Sequence, residues 1–166
     1  KDYLQNKERK RQAYKDHDIP LIEIEKDDYK DRQGLADRII SEINKLAIFI
    51  EEVGEELNLP SELVFNLNLV LEEAVSNVIL YAYPKEEHQE ILLTARKSDK
   101  NLIFMLTDSG KEFDPTQAPD ADITLSAEER EIGGLGIFLI RQIMNEVAYQ
   151  RIEGENVLTL SKQIEE

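Results

Sequence analysis

Cysteine and tryptophan are absent from this 166-residue chain, and histidine occurs only twice. Without cysteine there are no disulfide staples and no thiolate metal sites, which fits a cytoplasmic protein. His17 and His88 lie in polar surroundings, suggest neither a metal pair nor a Ser-His-Asp arrangement, and read as surface residues. No uninterrupted apolar run approaches the ~20 residues that span a bilayer, and no signal-peptide pattern is present. Basic charge is also scarce: 20 Lys and Arg face 35 Asp and Glu, for a net charge of -15. Such a balance argues against a general binder of nucleic acid or anionic membrane. A chain this acidic that handles a polyanion must neutralise it locally, with a metal ion or with backbone amides.

What is present is ordinary for a globular domain: 41% hydrophobic and 33% charged residues, and length enough for one domain with a real core. Residues 1–18 carry net charge +2 and one aliphatic side chain, Leu4, and read as a charged tail or linker; residues 19–166 form the domain. Ile19 to Glu25 alternates into a short strand, placed at a sheet edge by Pro20. Apolar residues at helical spacing run from Leu35 to Leu57, and a second helix starts near Pro60 or Ser61 and continues to Pro84. The runs Ile91–Ala95 and Leu102–Thr107 make a hairpin, and Val147–Ile152 with Val157–Leu160 make another. Between them lie a polar loop, Thr116 to Ile132, and a helix from about Leu135 to Met144. Hairpins separated by helices give an α+β fold: a two-layer sandwich with a mixed, mostly antiparallel sheet and helices on one face.

Three segments carry chemistry. On the second helix Glu73 and Asn77 are one turn apart, on the side shared by Leu69, Val70 and Leu80. A carboxylate there can take a proton or orient an attacking group, and an amide oxygen can ligate magnesium. Glu72 points about 100° away and reads as solvated. Asp108-Ser109-Gly110 follows a strand: the carboxylate can accept a hydrogen bond from an exocyclic amine, and the glycine admits close backbone approach. Gly133-Gly134-Leu135-Gly136 opens a helix, whose free N–H groups and dipole suit phosphate. Singly, each segment is equally well a solvated helix edge, a plain turn or a flexible joint.

In this order the three segments resemble the N, G1 and G2 boxes of the GHKL (Bergerat-fold) ATPases, the group of DNA gyrase and sensor histidine kinase catalytic domains. Within it they look most like the small anti-sigma factor serine/threonine kinases. The likeness covers Ile22 to Lys162. It implies ATP and Mg²⁺ as ligands. Glu73 would be the catalytic base or orienting group, Asn77 the Mg²⁺ ligand, Asp108 the adenine reader and Gly110 a wall of the base site. Gly133, Gly134 and Gly136 would cradle phosphate, with Phe113 and Leu135 in the nucleotide-binding set and residues 116–132 as a lid. It also implies partners: a STAS-type anti-sigma factor antagonist as substrate, a sigma factor, and a second copy of the chain, with neither nucleic acid nor membrane. The chain departs from the family pattern at Tyr81-Ala82, where a His-Gly pair is common, and at Glu112, where a second Gly is common. Asn156 stands where a Thr is common, and Arg130 is near a basic lid position. Two alternatives stay open: a nucleotide-dependent binding module with little transfer, and a histidine-kinase-like ATPase domain.

Overall fold

The computed structural model describes residues 21–26, 32–82, 89–117 and 134–164. In chain order the elements are strand β1 (Leu21–Lys26), helices α1 (Arg32–Glu56) and α2 (Ser61–Asn77), strands β2 (Gln89–Ser98) and β3 (Asn101–Asp108), helix α3 (Gly134–Ile143), and strands β4 (Glu146–Ile152) and β5 (Glu155–Gln163). A π-helical turn, Val78–Ala82, continues α2, and a 3₁₀ turn, Pro115–Gln117, follows β3. The anticipated tail, residues 1–18, lies outside the described residues, as do His88, Arg130, Gly133 and positions 118–132 of the anticipated lid.

The five strands form one sheet in the order β1-β2-β3-β5-β4, and every neighbouring pair is antiparallel. Hairpins fix two of these pairings. In the β4–β5 turn Glu153 and Gly154 both have positive φ (51° and 86°), the conformation that matches the strands' twist and that only glycine adopts without cost at the second position. The long connection from β3 through α3 returns the chain so that β5 inserts beside β3, and β1 takes the edge that Pro20 suggested.

Period-2 burial along β3 puts Leu102, Phe104, Leu106 and Asp108 on the covered face. Helix α2 repeats buried side chains at Leu67, Val70, Leu71, Ala74 and Val75, the spacing of one helix face. These meet Leu46 and Ile50 of α1, Ile140 of α3, and Leu93 and Leu160 of the sheet in one cluster. Truncating a fully buried leucine here, such as Leu71, costs about 2–5 kcal/mol.

Two expectations about α2 are corrected. The helix does not run uniformly to Pro84: after Asn77 it widens into the π turn, which no Gly or Pro announces in the sequence. The segment Ser61–Ala82 is also long and apolar enough, by length and mean hydropathy (1.5), to cross a membrane, although no uninterrupted apolar run is. Its scattered Glu62, Glu72, Glu73 and Asn77 break every run without lowering the mean far. In the fold the apolar stripe is core.

Candidate active site

Strand register builds one end of the site. Asp108, the last residue of β3, pairs with Asn156 of β5, which pairs with Arg151 of β4. Opposite residues in antiparallel strands point to the same face, so the three side chains stand in one row. Asp108 and Asn156 are buried, 5% and 6% exposed. The Asp108 Oδ1 accepts from the Gly110 N–H at 2.8 Å and from Asn156 Nδ2 at 2.9 Å. Two donors on one carboxylate oxygen fix its orientation. The Asn156 Oδ1 accepts from Arg151 Nη1 at 2.6 Å and from the Tyr149 hydroxyl at 2.8 Å. Arg151 also donates to the Gly110 carbonyl at 2.9 Å. Burial pushes the Tyr149 hydroxyl above its ordinary 10.0, with Glu112 adding to the rise, while Arg151 and a hydrogen bond from the Phe113 main chain oppose it.

Helix α2 and its π turn join this end to the other. The Lys111 N–H donates to the Ala82 carbonyl at 2.6 Å. A Cβ at Gly110 would stand 2.6 Å from the Ala82 Cβ and 2.8 Å from Asp108 Oδ1, so the turn closes this tightly only with glycine. Nine residues up the helix, a Cβ at Gly136 would collide with Glu73 Oε2 and lie 3.0 Å from its Cδ. The first turn of α3 therefore presses directly on the Glu73 carboxylate. At helical rise, nine residues span roughly 13 Å. Glu73 and Asn77 sit half-buried between the two contacts, and Leu80, on the same side, is exposed.

All three sequence segments thus meet along one helix: Glu73 and Asn77 on it, Asp108-Ser109-Gly110 at its π end, and Gly136 against its middle. Phe113 is exposed, on the loop that contacts Tyr149, and the backbone of Leu135 lies in the first turn of α3. Asn156 does adjoin Asp108, where the departure from the family pattern placed it. One residue differs from the sequence reading: Glu72 is half-buried and accepts from Asn68 Nδ2 at 2.8 Å instead of being merely solvated. Arg141 donates to the Pro115 and Thr116 carbonyls at 2.7 and 3.0 Å, tying α3 to the start of the loop after β3. Arg151 and Tyr149 were missed. Their one signal was the alternation of the last hairpin, which places both on a single strand face but does not say which strand that face meets.

The residues fit an adenine nucleotide. The base end holds an oriented, buried carboxylate beside a glycine with no room for a side chain, and the other end brings the N-terminus of α3 to a carboxylate. For a metal, the described residues contain no group of three or more His, Cys, Asp or Glu side chains. Glu73 and the Asn77 amide oxygen suit a hard cation that takes its remaining oxygens from phosphate and water, the usual habit of magnesium.

Comparison with known proteins identifies the family. Residues 40–162 match the model of the histidine kinase-like ATPase domain. The serine/threonine-protein kinase BtrW of Bordetella bronchiseptica is 31% identical over 113 residues, covering 68% of this chain and 80% of that protein. The serine-protein kinase RsbW of Listeria monocytogenes is also 31% identical over 113 residues, covering 63% of this chain and 72% of that one. Among solved structures, the histidine kinase domain of the blue-light activated histidine kinase of Erythrobacter litoralis EL346 superimposes with a TM-score of 0.51 at 13% identity. That match covers 72% of this chain and 61% of the other, and it is a likeness of fold. With its motif segments gathered along α2 and the family model spanning most of its length, the chain belongs to the histidine kinase-like ATPase domain family.

Proposed function

We propose that this chain is an ATP-dependent protein serine/threonine kinase of a partner-switching pathway, which phosphorylates an anti-sigma factor antagonist of the STAS type and binds a sigma factor. The relatives named as serine kinases support the acceptor class. The observation that carries the site assignment is the packing of Gly136 on the Glu73 carboxylate, which puts a proton acceptor beside a helix N-terminus suited to phosphate. The anti-sigma assignment, a cytoplasmic location and action as a homodimer rest on the motif resemblance.

In the reaction, Asp108 accepts the adenine amine and Gly110 lines the base. Backbone N–H groups from the Gly133–Gly136 segment hold the phosphates, with Phe113 and Leu135 beside the nucleotide. Glu73 orients the serine hydroxyl and takes its proton as the serine oxygen attacks the γ-phosphorus. The bond from that phosphorus to the bridging oxygen breaks, and ADP leaves. Magnesium held by Asn77, when bound, supplies the positive charge that so acidic a chain lacks.

The test combines calorimetry of ATP binding, with and without Mg²⁺, and transfer of labelled phosphate to a serine of the antagonist. The unmodified chain should bind ATP more tightly with Mg²⁺, and Asn77→Ala should remove that enhancement. Label on the partner serine supports the kinase. ATP binding without label leaves a nucleotide-dependent binding module, and no ATP binding overturns the proposal.

A further inference from the structure

Arg151 and Tyr149 reach the site only through Asn156, and their geometry determines how that amide is oriented. One end of the Asn156 side chain faces two donors, Arg151 Nη1 at 2.6 Å and the Tyr149 hydroxyl at 2.8 Å. Arginine has no acceptor, and the Tyr149 oxygen already takes a hydrogen bond from the Phe113 main chain. That end must be the amide oxygen. The other end faces acceptors: Asp108 Oδ1 at 2.9 Å, the Lys111 carbonyl at 3.1 Å and, at the 3.5 Å limit, the Gly110 carbonyl. That end must be the NH₂ group. Turned the other way, the amide would set donor against donor at β4 and acceptor against acceptor at Asp108, where burial of both side chains makes the mismatch costly.

We propose that Arg151 and Tyr149 are positioning residues for adenine recognition: from strand β4 they lock the Asn156 amide so that its NH₂ group orients the Asp108 carboxylate toward the base amine. The inference rests on Asp108 as the adenine reader and adds to it a specificity device built from a second strand pair. Arg151 acts twice, since its hydrogen bond to the Gly110 carbonyl also fixes the turn whose N–H holds the same Asp108 oxygen. A threonine at position 156 could donate one hydrogen bond to Asp108 but could not span the row from Arg151 to Lys111. The chain's departure at Asn156 and the presence of Arg151 and Tyr149 therefore belong together.

The experiment measures binding of ATP and of purine riboside triphosphate, which carries hydrogen in place of the exocyclic amine, to the full chain. It compares the unmodified protein with Arg151→Met, Arg151→Lys and Tyr149→Phe. The unmodified chain should prefer ATP by roughly tenfold or more, the worth of one hydrogen bond to a charged group. Arg151→Met should lower ATP affinity to about that of the amine-free analogue while leaving the analogue's own affinity in place. Tyr149→Phe, which keeps the ring, should shrink the preference about threefold, and Arg151→Lys should recover part of it. If Arg151→Met fails to fold, Tyr149→Phe decides. Equal weakening of both nucleotides, or an unchanged preference, would overturn this proposal alone. An unmodified chain that binds both nucleotides equally would remove Asp108 as the adenine reader and this proposal with it. One that binds neither would overturn the kinase reading as well.

Discussion

At the sheet end of the site, Asp108 is buried and its Oδ1 is held by two donors, inside a network that crosses β3, β5 and β4. At the helix end, Glu73 and Asn77 are half-buried on one face of α2, and what the structure supplies is a close approach of the α3 N-terminus to the Glu73 carboxylate, permitted by the missing side chain of Gly136. The first end is fixed before any ligand arrives. In the proposed reaction the second would be completed by a ligand that brings its own charge and its own cation. Base recognition discriminates between neutral rings, so it needs preset donors and acceptors; phosphoryl transfer needs electrostatics completed at the moment of binding.

The largest effect should come from attacking the helix end. Glu73→Gln removes the proton acceptor but keeps the shape, so transfer to serine should fall by roughly 10²–10⁴ while ATP still binds. Gly136→Val should abolish transfer too, because its side chain would occupy the space of the Glu73 carboxylate. Single-turnover transfer beside calorimetry checks both; retained transfer in Glu73→Gln would remove Glu73 as the base. A smaller loss is expected at the sheet end. Asp108→Asn leaves an amide oxygen for the two donors but turns an NH₂ group toward the base amine, and ATP affinity should drop about 10- to 100-fold. Should that variant bind ATP normally, the contrast between a preset base end and a completed phosphate end would collapse.

Much of this was legible in residue order. The two hairpins, the apolar periodicity of α1 and α2, and the three motif segments are local patterns, and each element formed within a few residues of its pattern. What the sequence hid depends on contacts between distant elements. The pairing of Asp108 with Asn156, and of Asn156 with Arg151, is set by where β5 inserts, and alternation alone cannot say that β4 lies beyond β5. The π turn has no sequence mark, because its wider winding serves the contact between the Ala82 carbonyl and Lys111, 29 positions away. The hydrogen bonds from Arg141 to the Pro115 and Thr116 carbonyls join residues 26 and 25 positions apart, a separation that no local pattern announces.

The joint between the two ends offers a third measurement. A methyl at Gly110 would meet the Ala82 Cβ, so Gly110→Ala should destabilise the fold by about 1–3 kcal/mol in chemical denaturation. Ala82→Gly in the same chain removes the opposing methyl and should restore part of the loss, a non-additivity diagnostic of direct contact. Additive losses would mean that the turn is strained for another reason.

The smallest effect tests how firmly the sheet end is closed. Burial and Glu112 favour the neutral form of Tyr149, so its folded-state pKa lies above its unfolded value. The folded chain then holds the phenolic proton more tightly than the unfolded chain, and the associated stability is complete below about pH 10. Above that, the unfolded chain loses its proton first while the folded chain still holds it, so each step up in pH favours the unfolded state. The contribution is therefore lost as pH rises through the raised folded-state value. Tyr149→Phe removes the titration together with the hydrogen bond to Asn156. At neutral pH the variant should be less stable by about 1 kcal/mol, and this deficit should narrow in alkali, as the unmodified chain weakens and the variant does not follow. A deficit that stays constant from neutral pH to beyond pH 10 would show that Tyr149 ionises as it does in water, and that the sheet end is more open to solvent than its hydrogen bonds imply.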